Sequence, residues 1–467
     1  RPRQRHALLL AAGKLRYPAV GELAHLHQLQ VLVHPRLQRG RGEPPHPQPI
    51  GDVLEDVEVG EKSVVLEHHA DIAALGGKPG GVERADEHAP GLASRYISAV
   101  HVLPPYHRDA EAWVASLCGL IDVHRYRLVM PCNDSRLLIF RHHAGRIGRD
   151  MLAIPNDEAF ETFTDKAATR AAAARLGIAV AAGRVLTRGE QAEKLAAELG
   201  LPLVLKPRCT YAIGSPQEKT PARIIRTHVE LAEALETFAD GSWIAEAFVP
   251  GEGVGVSILA RRGEVLFASQ HRRLQVATET SGSTARVAEQ PDPKLVAAAR
   301  ALAGATRLTG VAMFEFRVDR RGGRHALLEV NPRFWGSLPL AVAGGADFPA
   351  LLWDVVTGAE PQLPVQQPKL VARRNMSGEY ARLTAVADTP PGWLAKCRVV
   401  AALLSFLPTL LLRSRFDSWA ADDPAPYLVE RRQICARLLG SATRHLQRTP
   451  SGSEDTHEQA SVREGAG

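Results

Sequence analysis

The chain has 467 residues, of which 45% are hydrophobic, 23% charged and only 5% aromatic. Such a length predicts several domains with enough apolar material for buried cores. The net charge of +6 comes from 57 Lys and Arg against 51 Asp and Glu. The basic residues are spread along the chain, so nucleic acid is not an expected partner. The five Cys residues form no CxxC pair, which argues against structural zinc or a disulfide framework and favours a reducing, cytoplasmic location.

Residues 1–93 differ in composition from the rest of the chain. They are rich in Pro and His, contain Tyr17 as their single aromatic residue, and lack Thr, Asn, Met and Cys. Aromatic side chains supply much of the buried area of an ordinary core, so this stretch is predicted to be irregular or poorly packed. Two interpretations stay open: an atypical N-terminal region, or a stretch whose reading frame is not the natural one.

From Ser94 onward the pattern is that of a folded protein with alternating helices and strands. Helices are predicted at 113–120, 158–176, 228–238 and 292–306, and strands at 126–131, 203–206, 242–248, 254–260, 264–271, 310–319 and 324–330. Because several strands follow one another directly, the sheets are expected to be largely antiparallel. The sequence thus predicts an α+β or α/β protein.

The C-terminal part divides into an appendage, 361–440, and a polar tail, 441–467, which is predicted to be disordered. The longest apolar run of the chain, 399–412, contains Pro408 and is too short to span a bilayer. We therefore expect no membrane span. The run is predicted to be a helix that packs on the preceding domain, and the alternative is a helix lying at a membrane surface.

The strongest chemical pattern lies in two consecutive strands. Glu315 stands between two Phe residues, and Glu329 and Asn331 lie two residues apart in the next strand, so they share a face. If the strands pair, these three side chains converge, and two carboxylates with an amide oxygen suit Mg²⁺. The alternative is a pair of solvent-facing carboxylates, which the apolar flanks make less favourable.

The segments FEFRVD and LLEVNPRFWGS resemble the metal-binding end of the ATP-grasp superfamily. Upstream, TDKAATRAAAARLGIAV, LPLVLKP and WIAEAFVPGEGVGVSIL agree with that family in order and spacing. The nearest members in pattern are carboxylate–amine ligases and biotin-carboxylase-like enzymes. The resemblance implies an ATP-grasp fold at 156–360, in which two α+β lobes clasp ATP, preceded by a partial pre-ATP-grasp α/β lobe at 94–155.

The resemblance also implies roles for individual residues in nucleotide binding. Lys166 resembles a lysine that reaches the phosphates, and Lys206 ends a buried strand, where an ammonium group needs an anion unless it snorkels to solvent. Residues 208–220, with Gly214, Ser215 and Pro216, resemble a phosphate flap. The segment that links the two lobes of the fold is expected to bind adenine and ribose. Its candidate residues are Glu246, Phe248, Val249 and Glu252.

Two arginines are candidates for the reaction itself. Arg333, in the NPR triplet of the family, is predicted to be the catalytic cation, and Arg273 to hold the substrate carboxylate. For Arg273 the alternative is an ordinary surface arginine. The small-residue loop from Thr280 to Ser283 is predicted either to lie near the substrate or to be a simple turn.

The implied activity is an ATP- and Mg²⁺-dependent ligase, in which Mn²⁺ can replace Mg²⁺. A substrate carboxylate would be phosphorylated to an acyl phosphate, which an amine then attacks. Two alternatives remain: another ATP-grasp chemistry that forms carboxyphosphate, and a non-catalytic nucleotide-binding protein. The expected partners are therefore a small carboxylate and a small amine.

Overall fold

The structure, a computed structural model, describes residues 89–213, 221–238, 240–276, 283–364, 371–387 and 416–447, together with three short N-terminal strands. The predicted flap residues 214–216, the loop residues 280–282 and the apolar run 399–412 lie outside the described residues, as does most of 1–93.

The N-terminal lobe contains a five-stranded sheet. Its elements are β1 (Gln30–Val33), β2 (Lys62–Leu66), β3 (Gly80–Glu83), β4 (Ile97–His101), α1 (Ala110–His124), β5 (Tyr126–Pro131) and α2 (Asp134–Ile147). The strand order is β1-β5-β2-β3-β4, with β1 antiparallel to β5 and β2 and the other pairs parallel. Both helices bury apolar side chains against this sheet, among them Trp113 and Phe140.

Three strands of this sheet come from the stretch that was expected to be irregular. Segments such as QVLV and KSVVL carry β-branched residues, whose β propensity outweighs the unusual composition around them. Irregular structure is therefore not what 30–33, 62–66 and 80–83 have. That 1–93 is poorly packed stays a prediction.

Two short helices lead into the next lobe, α3 (Asp157–Thr164) and α4 (Lys166–Arg175). The sequence predicted one continuous helix over 158–176, and this prediction is wrong at Asp165. The Asp165 carboxylate accepts hydrogen bonds from the backbone N–H groups of Ala167 and Ala168, so it caps a new helix instead of continuing the old one. The cap makes Lys166 the first residue of α4.

A small lobe follows, with a four-stranded antiparallel sheet in the order β6-β9-β7-β8. Its elements are β6 (Gly183–Val185), α5 (Ala192–Leu199), β7 (Leu203–Pro207), β8 (Arg223–Ile225), α6 (His228–Leu235) and β9 (Trp243–Ala247). The two helices pack on one face and bury Leu195 and Leu231.

The largest sheet has six antiparallel strands in the order β14-β13-β10-β11-β12-β15. Its elements are β10 (Glu252–Arg261), β11 (Glu264–Val276), β12 (Ser283–Glu289), α7 (Pro293–Ala305), β13 (Gly310–Asp319), β14 (Arg324–Asn331), α8 (Leu338–Gly344), α9 (Phe348–Val356) and β15 (Ala372–Arg374). Helices α3, α4 and α7 cover one face, where Phe314 and Phe316 are buried. Helices α8 and α9 pack the other side against Leu128 and Met130 of the N-terminal lobe.

In the described part of the C-terminal appendage there are α10 (Met376–Ala387), a short segment from Phe416, and α11 (Ala425–Gln447). Its apolar cluster includes Met376, Phe416 and Tyr427. Helix α11 continues past residue 441, the predicted start of the disordered tail, because SATRHLQ contains good helix-forming residues. Buried Asp417 pairs with Arg286 of β12, which attaches the appendage to the large sheet.

The predicted fold class is confirmed, since both sheets that follow the N-terminal lobe are antiparallel and helices cover them. Among the described residues no single helix is long and apolar enough to cross a membrane. Within the same residues, α8 and α9 are long and apolar enough only when taken together, and their axes form a bend of 94°.

The close approach of β6 and β9 gives a first prediction. A Cβ atom on Gly183 would lie 2.2 Å from the backbone oxygen of Ala245 and 2.8 Å from the Cα of Glu246. Gly183→Ala must therefore push the strands apart, and we expect it to lower the free energy of unfolding by about 1–3 kcal/mol. Thermal unfolding measures the change.

Gly119→Ala is the matched control, because Gly119 lies exposed in α1 and no neighbouring atom comes within 4 Å of the position that an alanine methyl group would take. That change should stabilise by up to about 1 kcal/mol. Equal melting temperatures for the two variants would contradict the strand packing described above.

Candidate active site

Two carboxylates face each other across neighbouring strands of the large sheet. Glu315 of β13 is the direct antiparallel partner of Glu329 in β14, and Asn331 pairs with Met313 two residues further on. Strand alternation places Glu315, Glu329 and Asn331 on one face, as the sequence predicted. The amide Nδ2 of Asn331 lies 3.5 Å from Glu329 Oε1.

Arg273 of β11 reaches across β10 to the same place. Its Nη2 lies 2.5 Å from Glu315 Oε2, in a pair whose side chains are 24% and 15% exposed. Burial raises the pKa of Glu315; the Arg273 guanidinium opposes this effect and Glu329 adds to it. Arg273 is thus not an isolated surface arginine, the alternative that the sequence left open.

The side chain of Arg273 can cross β10 to reach β13 because the intervening strand carries glycines. A Cβ atom on Gly253 would lie 2.8 Å from Cδ of Arg273. Gly255, the β10 residue that pairs with Glu315, leaves room for the buried ring of His271 in the same way. The two glycines therefore open the sheet face on which the carboxylates stand.

Arg333 lies just beyond β14 and is enclosed by acceptors. Its Nε and Nη2 atoms donate to Asp134 Oδ1 at 2.8 Å and Oδ2 at 2.7 Å. Nη2 also donates to Asn331 Oδ1 at 2.8 Å, and Nη1 to the carbonyl of Phe334 at 2.6 Å. Burial alone lowers the pKa of Arg333, but the bidentate pair with Asp134 outweighs it and the pKa is raised.

Lys166 is held at the edge of the carboxylate pair by the start of α4. Its backbone N–H donates to the carbonyl of Arg208, and the Arg208 side chain in turn pairs with the capping residue Asp165. The ammonium group donates to Thr210 Oγ1 at 2.9 Å and lies 3.7 Å from Glu329 Oε2. The helix cap thus positions Lys166 beside β14.

Lys206 projects from β7 into the space between the small and large sheets. Its ammonium group lies 2.7 Å from Glu246 Oε2 and donates to the carbonyl of Leu328 at 2.9 Å. Burial lowers the pKa of Lys206, and Glu246 opposes that shift. Glu246 is itself held by Arg170 of α4, which also donates to the carbonyls of Ala181 and Gly183.

The remaining predicted nucleotide-binding residues lie at the end of β9 and the start of β10. Phe248 and Val249 are half-buried in the connection between the strands, and the Phe248 N–H donates to the carbonyl of Pro202 at 3.3 Å. Glu252 is three residues before Gly255, so it points to the opposite sheet face from Glu315. There it pairs with Arg272 and Arg320, and the structure does not bring it to the site.

Sequence reasoning missed three contributors: Asp134, Arg170 and Thr210. Two of them left a signal. Asp134 directly follows a buried strand, a position from which side chains often reach a cleft, and Arg170 lies one helical turn after Lys166 on the same face. Thr210 left none, because its contact depends on the path of the chain after β7.

The side chains present fit a divalent cation and an anion. Glu315, Glu329 and Asn331 offer hard oxygen ligands, and two carboxylates on paired strands repel each other unless a cation lies between or beside them. Among the described residues no group of three or more His, Cys, Asp or Glu could hold a metal. A cation here would therefore also need Asn331 and oxygens from a ligand, and Lys166 and Lys206 offer positive charge to a phosphate.

Comparisons with known proteins agree with this geometry. A family model described as ATP-grasp in the biosynthetic pathway with Ter operon matches residues 240–378. That range contains Glu246, Arg273, Glu315, Glu329 and Arg333. A comparison with curated protein sequences finds no match.

Solved structures resemble the chain at low sequence identity. The ADP complex of purK, N5-carboxyaminoimidazole ribonucleotide synthetase, has a TM-score of 0.50 at 16% identity and covers 66% of this chain and 78% of that chain. A biotin carboxylase complex from Campylobacter jejuni has a TM-score of 0.49 at 20% identity, covering 63% and 69%. An L-amino acid ligase from Bacillus licheniformis has 0.44 at 19%, covering 56% and 64%. The family model over 240–378 confirms the resemblance to the ATP-grasp superfamily. The purK structure supports the ATP-grasp fold for the part of this chain that it covers.

Proposed function

We propose that this protein is an ATP- and Mg²⁺-dependent ligase that joins a small carboxylate to a small amine. The observation that carries the proposal is the pairing of Glu315 with Glu329, with Lys166 3.7 Å from the second carboxylate. The two carboxylates suit a cation and the lysine suits a phosphate, so the proposed cation and phosphate sites are adjacent. The family model, which describes ATP-grasp in a biosynthetic pathway, supports small-molecule substrates.

The lysines and the linker would bind the nucleotide. Lys166 and Lys206 come from different elements and converge on one region, where their charges repel each other unless anions intervene. Glu246 offsets Lys206, and a triphosphate would offset both lysines. Phe248 and Val249, half-buried between the two sheets, provide an apolar surface for the adenine ring.

Glu315, Glu329 and Asn331 would hold the divalent cation, with Mn²⁺ as a possible substitute for Mg²⁺. When bound, such a cation neutralises charge on the phosphate oxygens. Arg273 is the guanidinium closest to Glu315, and a cation at that carboxylate would release Arg273 to hold the substrate carboxylate bidentately. Arg273 therefore serves as the proposed catalytic residue.

The proposed reaction has two steps. A carboxylate oxygen of the substrate attacks the γ-phosphorus of ATP, the bond to the β-phosphate oxygen breaks, and ADP leaves. The amine nitrogen then attacks the acyl carbon, the C–N bond forms, and inorganic phosphate leaves with the acyl oxygen while the nitrogen loses a proton. We place this reaction in the cytoplasm, where both ATP and Mg²⁺ are available.

The test of the reaction class is the dependence of ATP turnover on added substrates. A panel of carboxylates and amines should raise ADP release only when both partners are present, and hydroxylamine should trap the acyl phosphate as a hydroxamate. Turnover that requires bicarbonate alone would favour carboxyphosphate formation. Nucleotide binding without turnover under any of these conditions would favour a non-catalytic protein.

Glu329→Gln tests the cation site. The change is nearly isosteric but removes one negative charge beside Lys166 and opposite Glu315. We expect ATP turnover to fall at least about hundredfold, with a melting temperature close to that of the wild type. Asn331→Ala should act in the same direction, less severely.

The control for this pair is Glu264→Gln, since Glu264 is exposed at the start of β11 in the same sheet. It should leave turnover unchanged. Wild-type turnover in Glu329→Gln would show that the cation site has been assigned wrongly.

Lys206→Met tests the phosphate site. Methionine keeps most of the side-chain volume, and Arg170 still pairs with Glu246, so the buried carboxylate keeps a partner. A hydrogen bond to a charged group contributes about 1.5–3 kcal/mol, and about 1.4 kcal/mol corresponds to a tenfold change in Kd. We therefore expect the Kd for MgATP, measured by calorimetry, to rise roughly ten- to hundredfold. Lys194→Met, at an exposed position of α5 in the same lobe, should leave Kd unchanged; equal Kd values for the two variants would argue against the assignment.

A further inference from the structure

A small cavity lies between the large sheet and α8. Its volume is about 20 Å³, and residues of β10, β11, β12 and α8 surround it. A water molecule needs a cavity of roughly 10–15 Å³, so this one is large enough for water and too small for an organic substrate. The polar side chains that line it on the sheet face of the candidate active site are Ser257, Ser269, His271 and Ser337.

Two serine hydroxyls on neighbouring strands face this cavity. Ser257 of β10 and Ser269 of β11 are direct partners in the antiparallel ladder, so their side chains point to the same sheet face. They are only 2% and 8% exposed. Among the described residues, neither hydroxyl forms a hydrogen bond with another protein group. Buried hydroxyls without a partner cost free energy, so a further donor or acceptor is expected between them.

The imidazole of His271 separates the cavity from the candidate active site. In the sheet, Gly255 lies between His271 and Glu315, and a Cβ atom on Gly255 would lie 2.2 Å from Cε1 of the imidazole. The ring therefore occupies the space that a side chain at Gly255 would fill. Its Nδ1 lies 3.4 Å from Ser337 Oγ, which is too long for a strong hydrogen bond.

The charges around the cavity favour an uncharged occupant. Burial, assisted by the guanidinium groups of Arg273 and Arg286, lowers the pKa of His271 to about 3, so the imidazole is neutral near pH 7. Gln270 and Glu289 also border the cavity, but strand alternation directs their side chains to the opposite sheet face. Hydroxyl groups and a neutral imidazole both donate and accept hydrogen bonds, as a water molecule does.

We propose that this cavity binds one water molecule, which connects four polar side chains, those of Ser257, Ser269, His271 and Ser337. Four groups match the two to four partners that a buried water needs. The water holds the imidazole in place beside the candidate active site. The proposal does not depend on the ligase activity, because it concerns the packing of the sheet against α8.

Ser269→Val distinguishes a water-filled cavity from an empty one. Valine replaces the hydroxyl by two methyl groups, which extend into the space of the cavity. If the cavity holds water, the methyl groups displace it and leave Ser257 and His271 without a partner, so we expect Tm to fall by about 2–4 °C. If the cavity is empty, the methyl groups fill it and Tm rises. Differential scanning calorimetry measures Tm.

Ser283→Val is the matched control, since Ser283 is half-buried in β12 of the same sheet and does not line the cavity. It should leave Tm close to that of the wild type. A crystal structure of the wild-type protein is a second measurement, which requires no variant to fold. It should show a water within about 3.2 Å of at least three of the four side chains.

Three results would overturn the proposal. A higher Tm for Ser269→Val than for the wild type would show that the cavity is empty. A wild-type crystal structure without electron density in the cavity would show the same. Bromide at this position in a soaked crystal, located by its anomalous scattering, would identify an anion site instead of a water site.

Discussion

Two half-buried carboxylates on paired strands need cationic groups around them, and this constraint governs the arrangement of the site. Glu315 and Glu329 are direct partners in the ladder between β13 and β14, where like charges destabilise a sheet. Arg273 approaches one carboxylate and Lys166 the other, each from a different element. A side chain from β11 and one from α4 thus offset the charges of the two paired carboxylates.

Further ion pairs surround the two carboxylates. Lys206, buried between the sheets, pairs with Glu246, and Glu246 is also held by Arg170 of α4. On the other side, Arg333 links Asn331 to Asp134 of the N-terminal lobe. Each charge is balanced by a partner from another part of the fold, so residues of all three lobes contribute to the charge pairs around the site. Removing one member of such a network leaves another charge uncompensated.

The local part of this arrangement could be predicted from the sequence. Alternation along FEFRVD and LLEVN places Glu315, Glu329 and Asn331 on one face, and the short connection between the strands favours their pairing. Lys166 was a candidate because of the resemblance to the ATP-grasp superfamily, and Lys206 also because it ends a predicted strand. Four strands of the six-stranded sheet were predicted, with β10 and β11 longer than the pattern indicated. The other two, β12 and β15, were not.

The rest depends on contacts between elements far apart in the chain. No periodicity reports that Asp134 meets Arg333, or that Arg170 meets Glu246, because packing of whole lobes brings them together. The break at Asp165 was missed because its capping hydrogen bonds compete with a continuous helical pattern. The sheet face of Glu252 depends on the register of β10 against β13, which the spacing of residues alone does not fix.

The most direct test of the account is a crystal structure of the protein with ADP and Mg²⁺. The account predicts a cation in contact with oxygens of Glu315 and Glu329 at about 2.1 Å, phosphates against Lys166 and Lys206, and Arg273 released from Glu315. A nucleotide bound elsewhere, or a cation without contact to either glutamate, would contradict it.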